Sequence, residues 1–292
     1  MFKKIFTILA VAGLVGFQLT GCGKQTNGNV ADAASQNSEE SISSTANESI
    51  GLSNINSSSL GVSDYGLESP ASSCPAVTKI GPLGVDPVTW TITLNFDGGC
   101  IPAFVSRVVS GSITMTVSKF TNTTSGAVTE VTVNADKNIA ITRFDGASLY
   151  VSGTTDILRT GSLAGQTITR TVDVAETRTA LGPAGRERLH QNITLNFTAQ
   201  DTLSSSTPPV TVTQRVLNGS GTIDHLLLKV LASVTVTNLT YQQGYCHPQS
   251  GSIAEVLTSD VDGSAIGTYT LVFLGGDSAT LNGNPITLNP CD

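Results

Sequence analysis

Val88-Thr89-Trp90-Thr91-Ile92-Thr93-Leu94-Asn95-Phe96 alternates apolar and polar side chains almost without a break. Successive side chains of an extended chain point to opposite faces. Trp90, Ile92, Leu94 and Phe96 therefore share one face, and Thr89, Thr91, Thr93 and Asn95 share the other. That pattern is a half-buried antiparallel strand. Asp97-Gly98-Gly99 ends it as a turn.

The same reading recurs further along. Leu189, Gln191, Ile193, Leu195 and Phe197 line one face of a second strand, and Tyr269, Leu271 and Phe273 line one face of a third. The local strings are TITLNFDGGC, NITLNFTAQD and TYTLVFLGGD. A second string, Ser-Gly-Ser-Ile, stands at 110–113 and again at 250–253. These echoes point to a duplicated β module, although the intervals between them are unequal. Further strands are expected at 113–117, 128–133, 139–142, 148–152, 167–174, 210–215, 230–239, 253–257 and 279–281. Asn282-Gly283 is the strongest hairpin signal, because both turn positions tolerate positive φ. It would pair Ala279–Leu281 with Ile286–Leu288. Asp145-Gly146 and Asp262-Gly263 mark further turns. His225–Leu231 reads either as a helical turn or as strand.

Composition agrees with this pattern. Charged residues make up 13% of the chain, against roughly 25% in an average domain. Long amphipathic helices need charged faces that this chain cannot supply. Thr and Ser serve instead as the outward face of half-buried strands. The expected fold is all-β: an antiparallel β-sandwich or a curved, barrel-like sheet, running from residue 73 to residue 292.

The first 72 residues differ. Lys3 and Lys4 precede a nearly continuous apolar run from Ile5 to Phe17. The run is short of the roughly 20 residues that span a bilayer, and it fits a cleavable secretory leader. It ends in Leu19-Thr20-Gly21-Cys22. This tetrapeptide resembles the lipobox of bacterial lipoproteins. The resemblance implies a diacylglyceryl group on the Cys22 thiol and cleavage between Gly21 and Cys22, with residues 1–21 as the signal peptide. It also implies a cell-envelope protein whose membrane contact is the lipid anchor. Gly23, rather than Asp, follows the cysteine, which favours the outer membrane in a host that has one. Residues 22–72 comprise the acylated Cys and a Ser/Asn-rich linker, too poor in apolar side chains to offset its ordering entropy. Ile42, Ile50, Leu52 and Leu60 are the residues by which it would dock, if it docks.

Lys3 and Lys4 are the only charges of the leader, so its loss takes the formal charge from −7 to −9. A net negative surface disfavours nucleic acid as a partner. The four remaining cysteines are Cys74, Cys100, Cys246 and Cys291. Export to an oxidising compartment favours disulfides. Loop closure favours the short-range pairs Cys74–Cys100 and Cys246–Cys291. Metal binding is not expected, since no CxxC pair is present.

Candidate chemistry is sparse. A serine triad needs a histidine, and the chain has His190, His225 and His247, each read as structural or solvated. Glu130, Glu176, Glu187 and Glu255 are the carboxylates a glycosidase pair would draw on. Asp260-Val261-Asp262-Gly263 begins like a calcium loop but lacks its later ligands. Arg178, Arg186, Arg188 and Glu187 flank Leu181-Gly182-Pro183-Ala184-Gly185, the most basic patch of the chain. No catalytic residue and no cofactor are expected. The expected role is a non-enzymatic binding, adhesive or structural module whose partner is a protein, glycan or lipid. A carrier of hydrophobic ligands is the first alternative and an extracellular hydrolase the second.

Cys22→Ser is expected to leave the precursor uncleaved or release it from membranes. Fractionation and intact mass check this, and unchanged membrane association would sink the anchor.

Overall fold

The computed structural model describes residues 41, 42, 45, 74–84, 86–101, 107–121, 128–162, 167–204, 212–245 and 247–288. Thirteen strands form one antiparallel sheet in simple up-and-down order. They are β1 (Ala76–Leu83), β2 (Val88–Asn95), β3 (Val108–Thr121), β4 (Val128–Thr142), β5 (Ser148–Ser162), β6 (Thr167–Leu181) and β7 (Glu187–Leu203), followed by β8 (Val212–His225), β9 (Val230–Gln242), β10 (Ser250–Ser259), β11 (Ala265–Gly275), β12 (Ser278–Leu281) and β13 (Asn284–Thr287). β1 and β13 each have one neighbour, so the sheet does not close. Of the two expected architectures, the single barrel-like sheet is the one adopted.

Period-2 alternation decides the two faces. In β7, Ile193, Leu195, Phe197 and Ala199 are buried while Asn192, Thr194, Asn196 and Thr198 are exposed. One contiguous apolar core runs along the inner face from Val77 in β1 to Ala279 in β12. The outer face is polar. Asn134 donates to Asp156 at 2.6 Å, and Asn196 donates to Asp173. A lipid-facing strand would carry apolar residues at these positions, so this face is suited to water.

Glycines bend the sheet around that core. A Cβ on Gly111, Gly153 or Gly221 would lie 2.1 Å from a carbonyl oxygen of the next strand. Such close backbone approach is how a sheet turns a corner. The repeated Ser-Gly-Ser-Ile string acquires a physical meaning here. Gly111 (φ 95°) meets Asn138 O of β4, and Gly251 (φ 99°) meets Asn238 O of β9. The string marks a strand kink in both places. The longer echo is less consistent. Asp97-Gly98 and Gly276-Asp277 lie in turns, whereas β7 continues past Phe197 to Leu203.

Several strands are longer than expected. The strands expected at 128–133 and 139–142 are one strand, β4, and β6 runs seven residues beyond 174 to Leu181. Lys137, Glu176 and Arg178 interrupted the apolar pattern there, yet all three face inward. The segment 225–231 is the β8–β9 hairpin, with Lys229 at φ 56°. The Asn282-Gly283 hairpin forms as expected, with Ala279 opposite Ile286.

Cys74 and Cys100 are bonded, with a Cα–Cα distance of 5.8 Å. The bond ties the entry of β1 to the segment after β2. Cys246 and Cys291, and the leader with Leu19, Thr20, Gly21 and Cys22, lie outside the described residues. Ser41, Ile42 and Thr45, within the expected linker, are helical and buried. Ile42 supplies an apolar side chain that the inner face takes up.

Gly221→Val places its side chain in the backbone of β7. The expected cost is about 3 kcal/mol or more, read as a lowered urea midpoint of the full chain.

Candidate functional site

The inner face is not uniformly apolar. Charged residues stand in phase with valine and isoleucine on the long strands, so the alternation that buries the aliphatics also buries them. β6 reads Ile168, Arg170, Val172, Val174, Glu176, Arg178 and Ala180 on one face, all of them buried. They fall into two groups at opposite ends of the strands, separated by an apolar belt that includes Ile157, Val172 and Phe197.

The first group centres on Glu176. Its Oε2 accepts from Arg178 Nε at 3.0 Å and from Arg178 Nη2 at 2.8 Å, and its Oε1 accepts from Lys137 Nζ. All three side chains are 0–1% exposed. Lys137 and Glu176 are not on adjacent strands. The register runs Lys137, Gly153, Glu176 across β4, β5 and β6. Gly153 has no side chain to block the path between them. Burial alone would raise the Glu176 carboxyl, but the Arg178 guanidinium and the Lys137 ammonium more than reverse that and hold it below the usual carboxylate range.

The next row across the sheet runs Arg178, Gln191, His225. Arg178 Nη2 donates to Thr45 Oγ1 at 2.7 Å, and Ser41 Oγ donates to Gln191 Oε1 at 2.8 Å. With its oxygen occupied, Gln191 presents Nε2 to His225 Nδ1 at 3.0 Å. Nδ1 then accepts, and the neutral ring carries its proton on Nε2. Burial lowers the His225 pKa from 6.5 to about 4, and a proton on Nδ1 would face the amide donor. Ile42, between Ser41 and Thr45 in sequence, lines a small space with Leu195, Phe197, Leu217 and Val236. The space left beside it is about 10 Å³, room for one water at most.

The second group lies near the other end of the strands. Asp201 Oδ1 accepts from Arg215 Nε at 2.7 Å. Its Oδ2 accepts from Arg170 Nη1 at 2.5 Å and from Arg215 Nη2 at 3.1 Å. Arg159 sits directly opposite Arg170 in the β5–β6 register. Burial lowers the Arg170 pKa to about 10, Asp201 opposing the shift and Arg215 and Arg159 adding to it.

The residues singled out from sequence are mostly not brought together. Arg178 is not part of the 181–185 turn patch, because its strand phase turns it inward; this corrects that expectation. Arg186, Glu187 and Arg188 are exposed at the turn, and Glu187 Oε1 meets His190 Nδ1 at 3.0 Å. Glu255 is buried on β10, opposite Val234 and Tyr269. Glu130 lies on β4 and His247 in the turn before β10. Asp262 Oδ1 accepts from Ser264 N and Oγ, so its carboxylate closes its own turn. Among the described residues, no three His, Cys, Asp or Glu side chains are placed to hold a metal. Trp90 is half-buried, with Lys79 Nζ at 5.4 Å and Lys119 Nζ at 4.9 Å from its ring. Sequence reading missed Lys137, Arg159, Arg170, Asp201 and Arg215. The signal was available: each is in phase with a buried aliphatic on its own strand.

His225 links stability to pH. Its folded pKa lies below its unfolded one, so the unfolded chain alone takes up protons between 6.5 and about 4. The contribution is fully present above pH 6.5 and is lost as pH falls through that window. About 2 kcal/mol is expected to disappear between pH 7 and pH 5. Urea unfolding at the two pH values checks this, with His225→Gln expected to flatten the difference.

No protein-family model, curated protein or solved structure matches this chain, and the reading of the site stands on its own geometry.

Proposed function

We propose that this chain is a cell-envelope lipoprotein, acylated at Cys22, whose open curved sheet is a non-enzymatic binding domain. The observation that carries the reading is the docking of Ile42. The inner face receives an apolar group between two flanking hydroxyls, those of Ser41 and Thr45, and meets each with a polar partner at hydrogen-bond distance. A surface built this way recognises amphipathic matter. Its ionised groups support binding more than turnover, since Glu176 is held between two cations and His225 is neutral and buried.

Anchor and domain are close in sequence. Ser41 follows Cys22 by 19 positions, so the span between lipid and sheet is at most about 65 Å. The domain would work within that distance of the membrane surface. The openness of the sheet favours a second reading, in which the inner face carries a lipid or other hydrophobic ligand. Entry would require Ile42 to leave, because it occupies the space.

Native mass spectrometry of the chain, purified from its own envelope without organic solvent, tests the reading. A noncovalent adduct released on denaturation is expected, and its mass identifies lipid, glycan or peptide. A clean apo mass would overturn the binding domain in favour of a structural one.

A further inference from the structure

Two turns of the sheet carry the same pattern. Phe144-Asp145-Gly146 joins β4 to β5, and Val261-Asp262-Gly263 joins β10 to β11. In each, the Asp carboxylate accepts from the backbone N–H two residues on, Ala147 N at 3.0 Å and Ser264 N at 3.1 Å. In each, the glycine takes the positive φ, 86° and 69°. Asp and Gly therefore close the turn, and neither the turn nor the core requires the apolar residue before them. Phe144 is 74% exposed and Val261 73%, the highest values among the described large apolar side chains. Apolar side chains exposed singly are ordinary, but these two share one rim of the sheet.

The register aligns that rim. Ser148 pairs with Thr142 and Leu181, and His225 pairs with Gln191 and Val230, which in turn pairs with Ser259. Adjacent turns also touch. A Cβ on Gly146 would lie 3.6 Å from Pro183 O, and Asp260 N donates to Lys229 O at 3.0 Å. Leu227 in the β8–β9 turn and Ile101 in the β2–β3 connection add two more exposed apolar side chains there. Arg143, Arg186 and Lys229 stand on these turns beside Asp145, Glu187 and Asp260, a mixture of signs suited to zwitterionic headgroups. The chain coming from Cys22 meets the sheet at the same rim. Ser41 and Thr45 bond to Gln191 and Arg178, whose row ends at His225, the last residue of β8.

We propose that Phe144 and Val261, with Leu227 and Ile101 on the same rim, dip into the surface of the bilayer that holds the Cys22 anchor. Apolar tips ringed by polar groups enter the boundary between headgroups and acyl chains. Ser41 follows Cys22 by 19 positions, so the anchor keeps this rim close to the lipid and raises its effective concentration there. The anchor alone fixes distance; the tips fix orientation, with the strands rising from the membrane. The inference takes its membrane from the Cys22 reading, and the experiment below separates the two.

The chain purified from its own envelope is reconstituted with phosphatidylcholine vesicles whose acyl chains carry bromine, a contact quencher of tryptophan. Phe144→Trp and Val261→Trp are compared with Leu274→Trp and with wild type, whose one tryptophan is Trp90. Leu274 is exposed at the far end of β11. The two tip variants are expected to lose emission to bromine, while Leu274→Trp and wild type keep theirs. Adding Val261→Ser to Phe144→Trp is expected to lower the ratio of inserted to lifted tips about tenfold. All variants are expected to keep the wild-type Tm, because the replaced side chains are exposed. Tip variants that float with the vesicles yet stay unquenched overturn the proposal. So does Leu274→Trp quenched as strongly as the tips, since the domain then has no fixed orientation. Tip tryptophans shielded from aqueous iodide only as protein concentration rises would assign the rim to a second copy, and would overturn it too. Intact mass reports the Cys22 lipid independently. A chain without that lipid loses the anchor reading alone, and the same quenching with excess vesicles then decides the rim.

Discussion

Glu176, held between Lys137 and Arg178 on the inner face of the sheet, is the contact on which the rest of the interior depends. A buried ion is tolerated only when opposite charge and hydrogen bonds replace the water it has lost. Neither cation is an immediate sequence neighbour of Glu176: Lys137 reaches it from two strands away and Arg178 from two residues along β6. The reach across β5 exists because Gly153 leaves the intervening position empty. Arg178 also donates to Thr45, so one network both holds the buried carboxylate and fastens Thr45 to the sheet.

The glycines and the charges are two parts of one arrangement. Gly111, Gly153, Gly219, Gly221 and Gly251 let neighbouring strands approach where a side chain would collide. The resulting curvature gives the sheet an inner face, and alternation fills that face from strands 14–17 residues long. One polar group gathers near the β4–β5, β6–β7 and β8–β9 turns, the other near the opposite strand ends, with aliphatic rows between them. In the first group Glu176 pairs with Lys137 and Arg178, and Arg178 also donates to Thr45. In the second group Asp201 pairs with Arg170 and Arg215.

Much of the fold was legible in the sequence. Alternation in 88–96, the Asn282-Gly283 turn and the short Cys74–Cys100 loop each act over local distances. Their outcomes follow from side-chain period, from tolerance of positive φ and from loop entropy, and the structure has all three. The interior polar groups were less legible for a definite reason. A lysine, glutamate or arginine inside an alternating strand reads as an interruption, because an isolated buried charge is unfavourable. It becomes acceptable only through a partner on another strand, and local pattern does not display that partner. The same blindness shortened β4 and β6 and placed Arg178 on the exposed turn patch.

The sequence by itself determined an all-β chain of alternating strands, its low charge and its principal turns, because these follow from the intrinsic preferences of neighbouring residues. Tertiary structure alone decided that the strands form one open sheet rather than two packed ones. It alone decided that Lys137 meets Glu176 across Gly153, that Arg159 faces Arg170, and that Ile42 leaves the linker for the inner face. The physical reason is register. Pairing across a sheet joins residues tens of positions apart, and only the assembled ladder shows which charges share a row.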